Sequence, residues 1–198
     1  MRSVRTVRNL ACMWLSLAAS VEMHAQHAST AVPLVTRAPK EATQYDFLLG
    51  QWDLTVTPKA EGLAQRVHGV PKLSGTWKAS RALDGWGIDD ELRVVDKAGN
   101  PLALTHFVRL YDSEARQWRI VSVDAYRHRI TTGTATWSNN EMTASSDGVD
   151  KDGKPVLLRT HTTNITANGF RFTQDRSSDG GKNWDDAVLV IEARLLRR

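Results

Sequence analysis

The chain has 198 residues, of which 41% are hydrophobic and 24% charged, a formal net charge of +4 at pH 7, and a single cysteine. That length allows one domain with a real core, and the composition is that of an ordinary globular protein. One cysteine excludes a disulfide framework, and so modest a charge gives no footing for a nucleic-acid partner.

The first segment reads as a targeting signal. Arg2, Arg5 and Arg8 precede an apolar run from Leu10 to Val21, and a polar stretch follows. This is the pattern of a secretory signal peptide, expected to span residues 1–25 and to direct the protein to the periplasm or outside the cell. The apolar run is too short for a membrane span. Three of the 26 Lys and Arg and one of the 22 Asp and Glu lie in it, so the remainder carries +2. Cys12 lies in it too, so the mature protein is expected to have neither disulfide nor thiolate chemistry.

Residues 26–42 are rich in Ala, Pro and Thr without periodicity and are expected to form a flexible leader to a single domain at 43–198. Residues 41–49 suit one short helical turn. From Gly50 onward, alternation of period two dominates. Trp52, Leu54 and Val56 alternate with Asp53, Thr55 and Thr57, which marks a half-buried strand. Similar runs follow at residues 75–83, 88–95, 102–111, 117–124, 130–137, 141–146, 156–165, 170–175 and 187–196. About ten sequential strands with short links predict an all-β, up-and-down antiparallel barrel, with a two-sheet sandwich as the alternative.

Two hairpins suggest binding residues. A two-residue turn around Asp84–Gly87 would set Arg81 directly opposite Asp90 on the apolar faces of neighbouring strands, as a structural ion pair or as a seat for an anionic group. A loop at 112–117 would pair Tyr111 with Trp118 and gather Phe107, Arg109, Tyr111, Trp118 and Asp124 on one face. Aromatic surface with a few orienting polar groups suits a ligand cavity. The opposite face, with Leu104, His106, Val108, Leu110, Val121 and Val123, is more apolar. Periodicity alone allows either face inside; the aromatic–arginine face is the one expected to wall a cavity. His106 interrupts the apolar face and is expected to be a satisfied core histidine.

Metal chemistry has little support. No two histidines stand at ligand spacing, and the stretch Val149–Lys154 lacks the remaining ligands of a calcium loop. No cofactor is expected. No nucleophile–base motif occurs either, so catalysis would need a pair assembled only in space, such as Asp124 with His106.

Ser177, Asp179, Gly181 and Trp184 fit the pattern S-x-D-x-G-x-x-W, which resembles the Asp-box hairpin of sialidase propellers. One copy with no propeller period is expected to be a tight turn: Asp179 bonds its own backbone, glycines supply positive φ, and Trp184 covers the hairpin.

Gly50-Gln51-Trp52 resembles the G-x-W opening of lipocalins and other calycin barrels. The order of three segments is similar to a group of secreted bacterial lipocalin-like proteins of unknown function. The segments are Tyr45 to Trp52, Tyr111 to Trp118 and Ser177 to Trp184. The resemblance implies a barrel, possible small-ligand binding, and a late-strand arginine, Arg194, packed over Trp52. It transfers no catalytic residue. Haem-binding relatives use a late-strand histidine, and the last two strands here have none.

The expected function is therefore binding of a small apolar or amphipathic molecule by an exported barrel. A filled barrel serving as an envelope interaction module is the alternative, and a cavity enzyme ranks third.

Overall fold

The structure, a computed structural model, describes residues 37–150 and 152–197. The signal peptide expected at 1–25, and the leader up to residue 36, lie outside the described residues.

Ten antiparallel strands run in chain order around a closed barrel: β1 (Gly50–Pro58), β2 (Leu73–Ala82), β3 (Gly87–Val95), β4 (Pro101–Asp112), β5 (Gln117–Asp124), β6 (Arg129–Ser138), β7 (Glu141–Val149), β8 (Pro155–Thr163), β9 (Gly169–Ser177) and β10 (Asp185–Arg197). Each strand pairs with its chain neighbour, and β1 pairs with β10 to complete the ring. Closure satisfies every strand edge, which an open sandwich would leave exposed.

The alternation of β1 sets the inside. Trp52, Leu54 and Val56 are buried and Asp53, Thr55 and Thr57 are exposed. Trp52 faces Trp77 across the β1–β2 pair. Arg194, the residue matched to a Trp-covering arginine, points outward instead. It sits opposite Asp53 and pairs with that carboxylate at 3.4 Å, while its neighbour Leu195 is the partner of Trp52. A strand's odd and even positions face opposite ways, so Arg194 has no route to the inward indole.

One end of the barrel is plugged by the chain that enters it. Two 3₁₀ turns, Lys40–Thr43 and Asp46–Leu48, place Ala42, Tyr45 and Leu48 in the core. Ala42, at the end of the predicted leader, is thus already packed. Trp52 donates its indole N–H to the Leu48 carbonyl at 2.7 Å, and Trp118 donates to the Gln44 side chain at 3.1 Å. The plug, β1, β5, β6 and β9 meet in an aromatic cluster of Tyr45, Phe47, Trp52, Trp118, Trp137 and Phe170. Large buried aromatics of this kind supply most of the apolar area that holds a small core together.

At the opposite end, β1 and β2 are joined through a short helix, α1 (Gly62–His68), which sequence periodicity did not suggest. None of its residues is buried.

Candidate functional site

Inside the plugged half, β2, β3 and β4 bring one polar group into an aromatic shell. Trp77, Asp90 and Arg109 all face inward by register, and all three are buried. Arg109 donates from Nε to Asp90 Oδ2 at 2.5 Å and from Nη2 to Oδ1 at 3.0 Å. Its third arm donates from Nη1 to the Tyr45 hydroxyl at 3.2 Å, and Trp77 donates its indole N–H to Asp90 Oδ1 at 2.8 Å. The guanidinium carbon lies 4.8 Å from the ring centroids of both Tyr45 and Phe107.

The electrostatics follow from burial and pairing. Desolvation disfavours the Arg109 cation, but the Asp90 carboxylate and the Tyr45 hydroxyl outweigh it and raise the arginine's pKa. Burial pushes the Tyr45 phenol up, against the opposing pull of Arg109. The site is an electroneutral, fully bonded knot. A cavity of about 20 Å³ beside it, lined by Tyr45, Trp77, Arg109, Phe170 and Phe172 among others, has room for about one water.

The aromatic–arginine face of the β4–β5 hairpin is the inner one. Tyr111 pairs with Trp118 as expected, and both are buried, with ring centroids 5.5 Å apart. Phe107, half-buried, stands one layer toward the open end. The structure therefore brings Asp90, Phe107, Arg109, Tyr111 and Trp118 together.

Arg81 is not part of that group. The β2–β3 loop is four residues, Leu83 to Trp86, so Ala82 pairs with Gly87, Arg81 lies opposite Ile88, and Asp90 lies opposite Ala79. Leu83 and Asp84 both take positive φ, and Trp86 N–H closes onto the Leu83 carbonyl at 2.9 Å. That wider turn moves the register by two residues relative to the expected pairing and removes the Arg81–Asp90 contact. Arg81 instead donates to the Ala42 carbonyl at 2.8 Å and pairs with the Asp46 carboxylate, tying the plug to the rim.

Asp124 lies at the other end of the barrel. Its carboxylate caps the β5–β6 turn, accepting from the backbone N–H groups of Tyr126 and Arg127 and from Arg127 Nη1 at 2.7 Å. Burial raises its pKa, but these donors outweigh it, and the net shift is downward. His106 is exposed on the outer wall, its register partner being Val123 while Asp124 faces Thr105. The two lie on opposite faces of the sheet, so no Asp124–His106 pair forms, and His106 is not a core residue.

The half of the barrel away from the plug is built differently. Register turns Leu92, Phe107, Ile120, Leu158 and Phe172 inward, and each is only half-buried, while Val56, Val94, Val156 and Ile191 on the same inner face are buried. Between these apolar residues stand inward hydroxyls. Ser122 and Thr131 are 2.5 Å apart on facing strands, and Thr160 lines the small cavity. These inward side chains keep solvent-exposed surface toward the open end of the barrel. At its mouth, Arg129 also faces inward, opposite Asp124, without an ion-pair partner among the described residues. Arg81, Arg109 and Arg176 are all paired.

Sequence reasoning missed the plug residues Tyr45 and Phe47, the inward Trp77, Phe170 and Phe172, and Arg129. The alternation of β9 already placed Phe170 and Phe172 on one face, but nothing local linked that face to Arg109.

The Asp-box-like hairpin is a turn on the outer wall. Asp179 accepts from Ser177 Oγ at 2.8 Å, Asn183 N–H at 2.9 Å and Asn183 Nδ2 at 2.7 Å, bonds that hold its carboxyl down to about 2. Trp184 lies under the Arg159 guanidinium, 4.3 Å from ring centroid to Cζ. Among the described residues, no group of three or more His, Cys, Asp or Glu is placed to hold a metal ion, and no helix is long and apolar enough to cross a membrane.

Neither a known protein-family model nor a curated protein matches the chain.

Proposed function

We propose that this is an exported, calycin-like barrel that binds a small apolar or amphipathic molecule in the half of its lumen away from the plug. One observation carries the reading: the inward Leu92, Phe107, Ile120, Leu158 and Phe172 remain half-buried and are interleaved with hydroxyls, as in a binding wall with a few orienting groups. The ligand's apolar part would lie among Phe107, Ile120, Leu158 and Phe172. A polar or acidic head would meet Arg129 at the mouth, because Arg109 and Arg81 are committed to Asp90 and Asp46.

The tight floor favours a second reading, a filled barrel serving as an interaction module, since the void beside Arg109 holds only about 20 Å³. Native mass spectrometry of protein purified from its export compartment separates the two. A discrete co-purifying mass released on denaturation supports ligand binding. A bare protein mass, with no thermal shift across fatty acids, their alcohols and aromatic acids, sinks it and leaves the filled barrel. If binding is found, Arg129→Gln should weaken the acids more than the matching alcohols.

A further inference from the structure

Toward the open end, the outer wall of β4, β5 and β6 carries apolar side chains where a soluble barrel's outside is usually polar. Val121 and Val123 are 41% and 42% exposed, and Ile130, the register partner of Val123, is 73% exposed. Leu102 and Tyr126, both more than 40% exposed, extend the patch to the rim of the open end. Further round the same rim, on the β1–β2 connection, helix α1 carries Leu63 and Val67, 77% and 68% exposed and one helical turn apart on the same face. The connections β1–β2, β3–β4 and β5–β6 are successive on one arc of this rim. The β7–β8 and β9–β10 connections, which complete the rim, place no large exposed hydrophobic there.

Charge follows the same arc. Two of its carboxylates are turned back into their own loops: Asp96 accepts from Ala98 and Asn100, and Asp124 from Tyr126 and Arg127. Arg66, Lys72 and Lys97 are exposed and meet no carboxylate among the described residues. Outward apolar side chains and a tyrosine, set among unpaired cations, match the layering of an anionic lipid interface. A second copy of the chain matches less well, because a two-fold contact on this arc would set these cations against their own copies.

We propose that the β1–β6 arc of the open rim docks on an anionic lipid surface, with Leu63, Val67 and Ile130 entering the headgroup layer and Arg66, Lys72 and Lys97 meeting phosphates. The inference is independent of what the lumen holds.

The test uses the exported chain without residues 1–25, which lacks Cys12, with an environment-sensitive fluorophore on Val67→Cys, Ile130→Cys or, as a control on the wall opposite β5, Glu192→Cys. Vesicles are phosphatidylcholine with or without phosphatidylglycerol. The expected result is a blue shift at 67 and 130 but not at 192, on anionic vesicles only and reversed by high salt. Arg66→Glu with Lys72→Glu should weaken the response about tenfold or more. These are surface positions, and circular dichroism verifies the fold. No shift at 67 and 130, or equal shifts on neutral vesicles, overturns the proposal. So does a shift that grows with protein concentration without lipid and tracks dimer mass in light scattering, which would assign the arc to a second copy.

Discussion

Arg109 holds Asp90 with two arms of its guanidinium, at 2.5 and 3.0 Å, in a pair that is closed to solvent on both sides. The pair is neutral as a unit, and every polar atom in it has a partner. Buried ion pairs of this sort are costly to break and cheap to replace whole, because removing one member strands the other's charge in a low dielectric.

Asp90→Ala should therefore destabilise the barrel by about 3–5 kcal/mol, whereas Asp90→Leu with Arg109→Met should cost clearly less, because only the neutral Trp77 N–H and Tyr45 hydroxyl then lose a partner. Urea denaturation of the two variants reads both effects. Similar losses in each would mean that the pair's net contribution, rather than the stranded charge, dominates.

Gly87 stands where β3 begins, and its backbone runs close to β4. A Cβ built on it would lie 2.2 Å from the Arg109 carbonyl oxygen. Gly87→Ala should push β4 away and cost about 1–3 kcal/mol, as overpacked cores do. Amide hydrogen exchange should rise first along 107–111, next to the displaced carbonyl. Unchanged exchange there would show that the strands absorb the methyl elsewhere.

Arg81 ties the plug to the barrel rim through Ala42 and Asp46, beside the bonds of Trp52, Arg109 and Trp118 to Leu48, Tyr45 and Gln44. Both partners of that ion pair are about one-third exposed or more, so the pair itself adds little, and the bond to the Ala42 carbonyl matters more. Arg81→Ala is expected to cost about 1 kcal/mol, with faster exchange confined to residues 40–48. A global rise in exchange would instead make the plug inseparable from the barrel's cooperative unit.

At the β9–β10 hairpin, Asp179 is held down to about 2 by bonds to Asn183 and Ser177. Its unfolded value is near 3.9, so the ionised form's contribution is fully present above about pH 4 and fades as pH falls through about 2. Carbon-13 detection of the Asp179 carboxyl should show a midpoint near 2. A midpoint near 4 would mean that the turn forms without these bonds.

Much of the fold was legible along the chain. Period-two alternation from Gly50 onward marked about ten strands, and the Asp, Gly and Asn content of residues 177–184 marked a tight turn. Pairing of Tyr111 with Trp118 followed from loop length alone. These are local properties: an alternating strand and its turn carry their own pattern.

The rest needed the folded molecule. Both faces of β4 and β5 mix apolar and polar residues, so alternation could sort them but not say which was inside; Tyr45, arriving from 64 residues away, decides it by meeting Arg109. The β2–β3 register turned on Leu83 and Asp84 taking positive φ, for Leu83 against the preference of its residue type. Hence Asp90 found Arg109 on β4 rather than Arg81 on β2. The sequence by itself determined strands, turns and their order, because those depend on near neighbours. Closure, the plug and the partner of each buried charge depend on contacts distant along the chain, and only the tertiary structure decided them.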